Sequence, residues 1–210
     1  RLAGALHDRF HFADDTEFAV EIDPRGLGDD SLKALADSGV TRASLGVQDV
    51  NPEVQKAVNR IQPVDVTRHV IDTLRDYGVE RINVDLMYGL PYQTVAGIGV
   101  NVKTILTMRP DRVSLFGYAH VPWMKTHQKR IPDEALPGRD ERHDMMMAAA
   151  AHLMENGYRW IGLDHFALEG DAMTTALDAG TLQRNFQGYT TDPCPALIGL
   201  GASSIGSLPQ

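Results

Sequence analysis

The stretch GVERINVDLMYGLP (residues 78–91) decides the fold, because a helix stop, a buried strand and a tight turn follow one another in it. Gly78 can adopt the left-handed turn that closes a helix. The run Ile82–Met87 is predicted to be a strand, and it carries Asp85 between apolar neighbours. Gly-Leu-Pro at 89–91 forms a turn after it.

The same junction, a helix stop and then an arginine before a strand, recurs along the chain. The other instances are Gly39 to Arg42, Pro110 to Arg112 and Gly157 to Arg159. We predict five short strands: Glu17–Ile22, Ala43–Val47, Ile82–Met87, Val113–Tyr118 and Trp160–Leu163. Helical patterns lie between them, so the repeat predicts a parallel sheet with helices outside. The pattern alone leaves a doubly wound sheet and a barrel open. However, no glycine-rich fingerprint follows the first strand, and the repeat length suits a barrel.

Composition indicates one cytosolic α/β domain over residues 1–210. The chain has 43% hydrophobic residues, a net charge of −8 and a pI near 5.4, which argues against a nucleic-acid or anionic-membrane partner. No membrane span or signal peptide is evident. Cys194 is the single cysteine, so the chain favours a reducing compartment and cannot build an iron–sulfur site itself. We interpret the chain as an internal fragment, since both ends look cut.

Polar side chains gather where the predicted strands end, and parallel barrels bind ligands at those ends. Asp85 is the strongest candidate, because an ionised carboxylate in an apolar strand is costly without a ligand or partner. A salt bridge to an arginine is the competing explanation, and solvated strand ends are the general one. Adjacent strand residues point to opposite faces, so we do not expect a direct Asp164–His165 dyad. The set is Glu21 with Asp23, Gln48 with Asp49, Asp85, Tyr118 with His120, and Asp164 with His165.

The loop NFQGYTT (185–191) places amide and hydroxyl groups beside two aromatic rings, which suits a planar or polar small ligand. IGLGASSIG (198–206) has small residues that let backbone approach a ligand closely, although a tight chain crossing would use them equally well.

Taken in order, these blocks resemble the oxygen-independent coproporphyrinogen III oxidases of the radical S-adenosylmethionine (SAM) superfamily. The likeness runs from about Phe18 onward, and the NFQGYTT and GLDHFA blocks are the most specific. The matching blocks are VEIDPR (20–25), SLGVQD (44–49), VNR (58–60), NVDLMYGLPYQT (83–94), FGYAHVP (116–122), GLDHFA (162–167), NFQGYTT (185–191) and IGLGASSIG (198–206).

The resemblance implies a barrel of parallel strands that holds a [4Fe-4S] cluster and SAM. A 5′-deoxyadenosyl radical would abstract hydrogen from the substrate, and two propionates of coproporphyrinogen III would become vinyl groups of protoporphyrinogen IX. It also implies an electron donor as partner, and we expect a cytoplasmic monomer. No catalytic residue or metal ligand is assigned. The implied cofactor contacts are Glu21, Gln48, Arg60, Asp85, Ala119, Phe186, Gln187 and Ile205.

The chain departs from that family because the three-cysteine cluster motif, expected before Phe18, is absent. We therefore expect a partial barrel that lacks its first strands and the later helical region, with 168–210 as a cofactor and substrate loop region. Such a piece should be inactive alone. The alternatives are a haem chaperone related to the oxidase, an unrelated barrel enzyme such as an aldolase or phosphate-ester enzyme, and a truncated product without activity. NFQGYTT favours the oxidase over the chaperone.

Overall fold

A computed structural model describes residues 1–185 and 188–209, and it shows helices and strands in alternation. Two 3₁₀ helices, Thr126–Arg130 and Asp133–Ala135, follow the fourth strand. The other elements are α1 (Leu2–His7), β1 (Ala19–Ile22), α2 (Asp29–Asp37), β2 (Arg42–Gln48), α3 (Pro52–Ala57), α4 (Val64–Asp76), β3 (Arg81–Tyr88), α5 (Val95–Leu106), β4 (Arg112–Gly117), α6 (Arg139–Glu155), β5 (Tyr158–Gly162), β6 (His165–Leu168), α7 (Ala172–Asp178), β7 (Gln183–Asn185) and β8 (Gly188–Thr190).

The main sheet has six strands in the order β1-β2-β3-β4-β6-β5, and β1 to β4 are parallel. The predicted class, α/β with a mostly parallel sheet, is confirmed. The helix stops lie where the glycines predict them, because Gly39, Gly78 and Gly157 have φ angles of +85°, +89° and +87°. Only glycine adopts that backbone region without strain. Each of these glycines ends a helix shortly before a strand of the main sheet begins.

Strand β6 was not predicted, and it changes the end of the sheet. It pairs antiparallel with both β4 and β5, so β5 keeps the parallel direction without touching β4. The reversal occurs at Gly162 and Leu163, whose φ angles are +150° and +46°. Leucine is uncommon in that left-handed region, so the turn has no signal in the sequence. The predicted strand Trp160–Leu163 is therefore the first half of a hairpin.

The two faces of the sheet differ in chemistry. One face is apolar: Leu45, Val84 and Val113 are aligned across three strands and fully buried. Helices α2, α4, α5 and α6 contribute Leu and Ile side chains to the same core. Burying each such side chain contributes about 1.5–3 kcal/mol, so this face stabilises the fold.

The opposite face, here called the inner face, is polar. Ser44, Asp85, Ser114 and His165 lie on it, because Asp85 pairs with Ser114 and Ser114 with His165, while Ser44 lies two residues before Gly46, the partner of Asp85. Side chains alternate between faces along a strand. The core-facing residues therefore leave every second position of β2, β3 and β4 free for other chemistry.

Helix α7 and the hairpin β7–β8 lie against the inner face. Asp171, the N-cap of α7, accepts hydrogen bonds from Arg112 Nε at 2.9 and 3.0 Å. Met173 packs with Ile161 and Ala167, and the Tyr189 ring contacts the His165 ring edge-on. The assignment of 168–210 to a loop region stays a prediction. No described helix is long and apolar enough to cross a membrane.

Candidate functional site

A hydrogen-bonded group of small polar side chains surrounds Asp85 on the inner face. Asn83 Nδ2 donates to Asp85 Oδ1 at 2.8 Å and to Ser44 Oγ at 2.7 Å. Ser44 Oγ donates to Asp85 Oδ2 at 3.3 Å, and Ser114 Oγ lies 3.4 Å from Asn83 Oδ1. We call Ser44, Asn83, Asp85 and Ser114 the polar ladder. Strands β2, β3 and β4 each contribute to it.

Asp85 has no cationic partner among the described residues, so the predicted alternative of an arginine salt bridge does not apply. Burial raises the pKa of the Asp85 carboxyl above its usual value, and the charge of Glu21 acts in the same direction. Hydrogen bonds from Asn83, Ser114 and Ser44 offset part of that effect. The fold therefore holds a carboxylate that a cationic or hydroxyl-bearing ligand would stabilise.

Glu21 lies on the same face as the polar ladder. It pairs in register with Ser44 on the neighbouring strand, and its side chain is exposed at the edge of the sheet. The structure thus brings two of the predicted residues, Glu21 and Asp85, to one surface. Their like charges make that surface attractive to a cation.

Gln48 and Arg60 meet at Gly46, where β2 ends. Arg60 Nη2 donates to the Gly46 carbonyl at 2.7 Å, and its Nη1 lies 3.1 Å from Asp23 Oδ2. A Cβ on Gly46 would lie 3.0 Å from Gln48 Nε2 and 3.2 Å from Arg60 Nη2. Arg60 Nε is buried without a partner among the described residues. Gly46 therefore makes space for a close cluster that retains one unused donor.

The turn at residues 23–25 contacts this cluster through Asp23, which lies beside Arg60. Arg25 binds Asp23 through its side chain at 2.7 Å, and hydrogen bonds from Arg25 lower the pKa of the Asp23 carboxyl well below its usual range. Arg25 is a surface residue in a turn, as the sequence indicates. Asp23 is thereby kept ionised beside Arg60.

A cavity of about 410 Å³ opens beside Gln48 and Arg60. Met87 and Tyr118 also line it, and Met87 lies two residues beyond Asp85 on the inner face. The cavity wall and the polar ladder therefore share one face of strand β3. Its volume is within the range of small-molecule sites.

Ala119 and Ile205 contribute little to this arrangement. Ala119 is exposed, and its carbonyl already accepts a hydrogen bond from Gln128 Nε2 at 3.0 Å. Ile205 is 55% exposed and lines a different cavity, of about 490 Å³, together with Gln183 and Arg184 of β7. Of the predicted contacts, the structure brings together Glu21 with Asp85, and Gln48 with Arg60.

Two further predicted contacts, Phe186 and Gln187, lie outside the described residues. The residues that flank them belong to β7 and β8, and Gly188 lies next to His165, because a Cβ there would lie 3.2 Å from His165 Cε1. Their predicted role stays a prediction.

The expectation that Asp164 and His165 form no dyad was wrong. His165 Nδ1 lies 2.9 Å from Asp164 Oδ1, because Asp164 occupies the turn of the β5–β6 hairpin and His165 is the first residue of β6, so the two do not alternate as in a regular strand. Phe116 and Tyr189 contact the His165 ring edge-on from two sides. The imidazole is thus oriented on the inner face, one strand from the polar ladder.

Asp49 shows that burial alone does not identify a ligand site. Its carboxylate accepts hydrogen bonds from Gln93 Nε2 at 2.5 Å, Asn101 Nδ2 at 2.6 Å and the Asn51 amide at 2.6 Å. Burial raises the pKa of Asp49 as it does for Asp85. However, Asp49 contacts α5 on the helix-covered side, so its role is to hold loops and helices together.

Three residues of the polar ladder, Ser44, Asn83 and Ser114, were missed as site residues. Their signal in the sequence is a small polar side chain an even number of residues before a strand-end candidate: Asn83 lies two residues before Asp85, and Ser44 and Ser114 lie four residues before Gln48 and Tyr118. In the described part of the chain no three His, Cys, Asp or Glu side chains are arranged to hold a metal. Cys194 is exposed and unpaired.

Comparison with known proteins identifies the class. Residues 2–105 match the family described as the radical SAM superfamily, so the chain carries radical SAM domain sequence. Over its whole length the chain is also similar to coproporphyrinogen III oxidases. It is 47% identical over 210 residues to the anaerobic coproporphyrinogen III oxidase 1 of Cereibacter sphaeroides, and 53% identical over 209 residues to the oxygen-independent enzyme of Bradyrhizobium diazoefficiens.

The solved structure of coproporphyrinogen III oxidase from Escherichia coli, a radical SAM enzyme by its description, has the same fold. It superposes with a TM-score of 0.95 at 40% identity over 99% of this chain. The chain covers 46% of each of the two relatives and 48% of the Escherichia coli chain. It thus spans about half the length of the proteins that it matches.

Proposed function

We propose that the full-length protein carrying this chain is an oxygen-independent coproporphyrinogen III oxidase of cytoplasmic haem biosynthesis. In this proposal it decarboxylates two propionates oxidatively and draws on an electron donor. The observation that carries it is the inner face, where Glu21 and Asp85 lie on one surface and neither forms an ion pair with a basic side chain of the described residues. The names of the relatives favour the oxidase over a haem chaperone.

The residues present fit SAM. Its sulfonium and ammonium groups are cations, and its ribose offers hydroxyl donors, which suit Glu21 and Asp85. Its carboxylate suits Arg60, whose buried Nε has no partner among the described residues. Gly46 lets the Gln48 and Arg60 side chains approach the backbone closely, which holds both groups at one place for a ligand. Ala119, Phe186, Gln187 and Ile205 remain proposed contacts on the family likeness.

The residues present do not fit a [4Fe-4S] cluster. Cys194 is the single cysteine of the chain and is exposed in a loop. Such clusters are usually held by several thiolates. We therefore propose that the cluster, if this protein has one, is held by residues other than these, and that this chain alone is inactive.

In this proposal the chain's residues bind and orient. Bound SAM would supply the radical chemistry that removes hydrogen from a propionate side chain. Asp85 and Glu21 would hold the cationic and hydroxyl groups in place, while the polar ladder fixes the Asp85 carboxylate by Asn83 and Ser44. The apolar lining at Met87 and Tyr118 would exclude water.

Anaerobic turnover tests the proposal directly. The full-length protein should consume coproporphyrinogen III and release carbon dioxide and 5′-deoxyadenosine when it is given SAM and a reductant. Glu21→Gln with Asp85→Asn should abolish SAM binding. A full-length protein that binds haem tightly but leaves coproporphyrinogen III unchanged would overturn the proposal. A size-exclusion measurement tests the proposed monomer.

A further inference from the structure

We infer that the 3₁₀ helix Thr126–Arg130 forms a carboxylate-binding wall, at which Arg130 and His127 bind a propionate of the substrate. The inference rests on the proposed function and adds residues to it. The class of ligand is an anionic carboxylate carried on an apolar body.

The 410 Å³ cavity combines apolar lining residues with basic side chains of the 3₁₀ helix. Val58, Leu90 and Ile131 are among its apolar lining residues, while Arg130 and His127 come from the 3₁₀ helix, far from Arg60 in the sequence. Among the residues that the structure describes, no aspartate or glutamate lines the cavity, although the chain has 28 acidic residues against 20 basic ones. An acid-free cavity in an acidic protein selects for an anion, since cations would meet repulsion there.

The side chains of this wall are free to bind. Within residues 1–185 and 188–209, the Arg130 and His127 side chains make no hydrogen bond or ion pair. Arg60, in contrast, is already held by Asp23 and the Gly46 carbonyl. The two sides of the cavity therefore differ, because one arginine is fixed in the fold and the other awaits a partner. A guanidinium binds a carboxylate through two parallel hydrogen bonds.

The wall is held in shape before any ligand binds. Gln128 is buried, and its Oε1 accepts a hydrogen bond from the Val121 amide at 2.6 Å. Its Nε2 donates to the Ala119 carbonyl at 3.0 Å. One side chain thus ties the 3₁₀ helix to the segment that follows β4. A helix whose backbone is already fixed loses less entropy when its side chains bind a ligand.

The segment between these ties exposes two large apolar side chains. Trp123 is 74% exposed and Met124 is 72% exposed, in the turn that leads into the 3₁₀ helix. A soluble protein gains nothing by exposing both together, and such a pair marks a binding surface. A flat apolar ring system that bears carboxylates could contact Trp123 and Met124 with its ring and Arg130 with a carboxylate. A phosphate ester without an apolar body would contact Arg130 but would leave Trp123 and Met124 exposed.

Matched substitutions in the full-length protein test the inference. Arg130→Gln removes the charge of the wall and His127→Gln removes its imidazole, while Lys129→Gln removes an exposed charge of the same helix that does not line the cavity. Under anaerobic turnover, Arg130→Gln should raise KM for coproporphyrinogen III about tenfold, the effect of one exposed charge-assisted hydrogen bond. We expect kcat and the Kd for SAM to change less than about twofold, and Lys129→Gln to leave all three values unchanged.

A binding measurement covers the case in which no turnover occurs. Coproporphyrin III, the stable fluorescent tetracarboxylate, should bind the unsubstituted protein more tightly than its tetramethyl ester. That preference should fall in the double variant Arg130→Gln, His127→Gln but persist in Lys129→Gln. Equal coproporphyrin affinities in the double variant and the control would overturn the inference. So would a rise confined to the Kd for SAM, because the wall would then serve the cofactor.

Loss of turnover together with intact, Arg130-dependent coproporphyrin binding would overturn the proposed function and support the carboxylate site. Normal turnover that neither Arg130→Gln nor His127→Gln changes would support the proposed function and overturn the carboxylate site. Trp123→Ala should raise the coproporphyrin Kd about fivefold through lost stacking contact. It should leave the thermal midpoint unchanged, since the ring is exposed.

Discussion

Replacing Asp85 with asparagine should weaken SAM binding without weakening the fold. The carboxylate is half-buried, lacks a cation among the described residues and lies near Glu21. Asparagine has the same shape and no charge, so the cost of burying an anion disappears. One of the hydrogen bonds from Asn83 and Ser44 weakens in exchange, because the new amide group is itself a donor.

The two effects can be given magnitudes. A lost neutral hydrogen bond costs about 0.5–1.5 kcal/mol, and neutralising a buried charge returns a similar amount or more, so stability at pH 8 should rise by about 0–1 kcal/mol. The loss of a charge-assisted contact to the ligand should raise the Kd for SAM roughly 10- to 100-fold.

The pH dependence follows from the raised pKa of Asp85, whose ordinary value is 3.8. Between that value and the raised pKa, the folded protein binds more protons than the unfolded protein. The stability of the unsubstituted protein therefore falls as pH rises through this window. The asparagine variant lacks this titration, so its relative stability should increase from acid pH toward neutral pH and then level off.

Two measurements on the full-length protein check this prediction: the Kd for SAM by anaerobic equilibrium dialysis, and the urea midpoint of cofactor-free protein across that pH range. Asp49→Asn is the matched control, since Asp49 is also a buried carboxylate with a raised pKa. It should lose about 2 kcal/mol, because the new amide nitrogen replaces Oδ2, the acceptor of the hydrogen bonds from the Gln93 and Asn101 side chains. If Asp85→Asn is destabilised as strongly as Asp49→Asn and binds SAM normally, Asp85 is structural and the reasoning fails.

Three further outcomes are expected in the full-length protein. Gly46→Ala should raise the Kd for SAM roughly tenfold by displacing Arg60, with stability changed by less than about 1 kcal/mol because the crowded atoms end flexible side chains; a calorimetric titration that matches the unsubstituted protein would contradict this. Asp171→Ala should lower the free energy of unfolding by about 3–5 kcal/mol, since Arg112 then stays buried without its anion, and equal urea midpoints would refute it. Leu74→Ala should cost about 2–5 kcal/mol in the same assay and leave the Kd for SAM unchanged, because Leu74 is fully buried in the helix-covered core.

Much of the fold was predictable from local signals. The glycines before β2, β3 and β5 adopt the left-handed conformation that ends a helix, which other residues adopt only with strain. They therefore locate the strands that follow. Strand β6 was not predictable, because its turn uses Leu163 in a conformation that leucine rarely adopts. A sequence shows which residues suit a turn, but it does not show which unsuited residue the tertiary fold will force into one.

The candidate site was only partly predictable for a different reason. Asp49 and Asp85 look alike in the sequence, since each lies within two residues of an apolar strand residue, Val47 and Val84. They differ only in their neighbours: Asp49 meets amide donors from α5 and its preceding turn, while Asp85 meets the polar ladder and Glu21. Those neighbours come from segments distant in the chain, so no single-sequence pattern separates the two.

The alternation along β3 gives this architecture a particular capacity for change. Positions 82, 84 and 86 carry the apolar contacts, whereas positions 83, 85 and 87 lie on the inner face. Mutations at the odd positions can therefore change the chemistry of the inner face while the even positions keep the molecule folded. A library that randomises only odd-numbered residues of this strand should retain soluble expression in most members, and one that randomises the even-numbered residues should lose it.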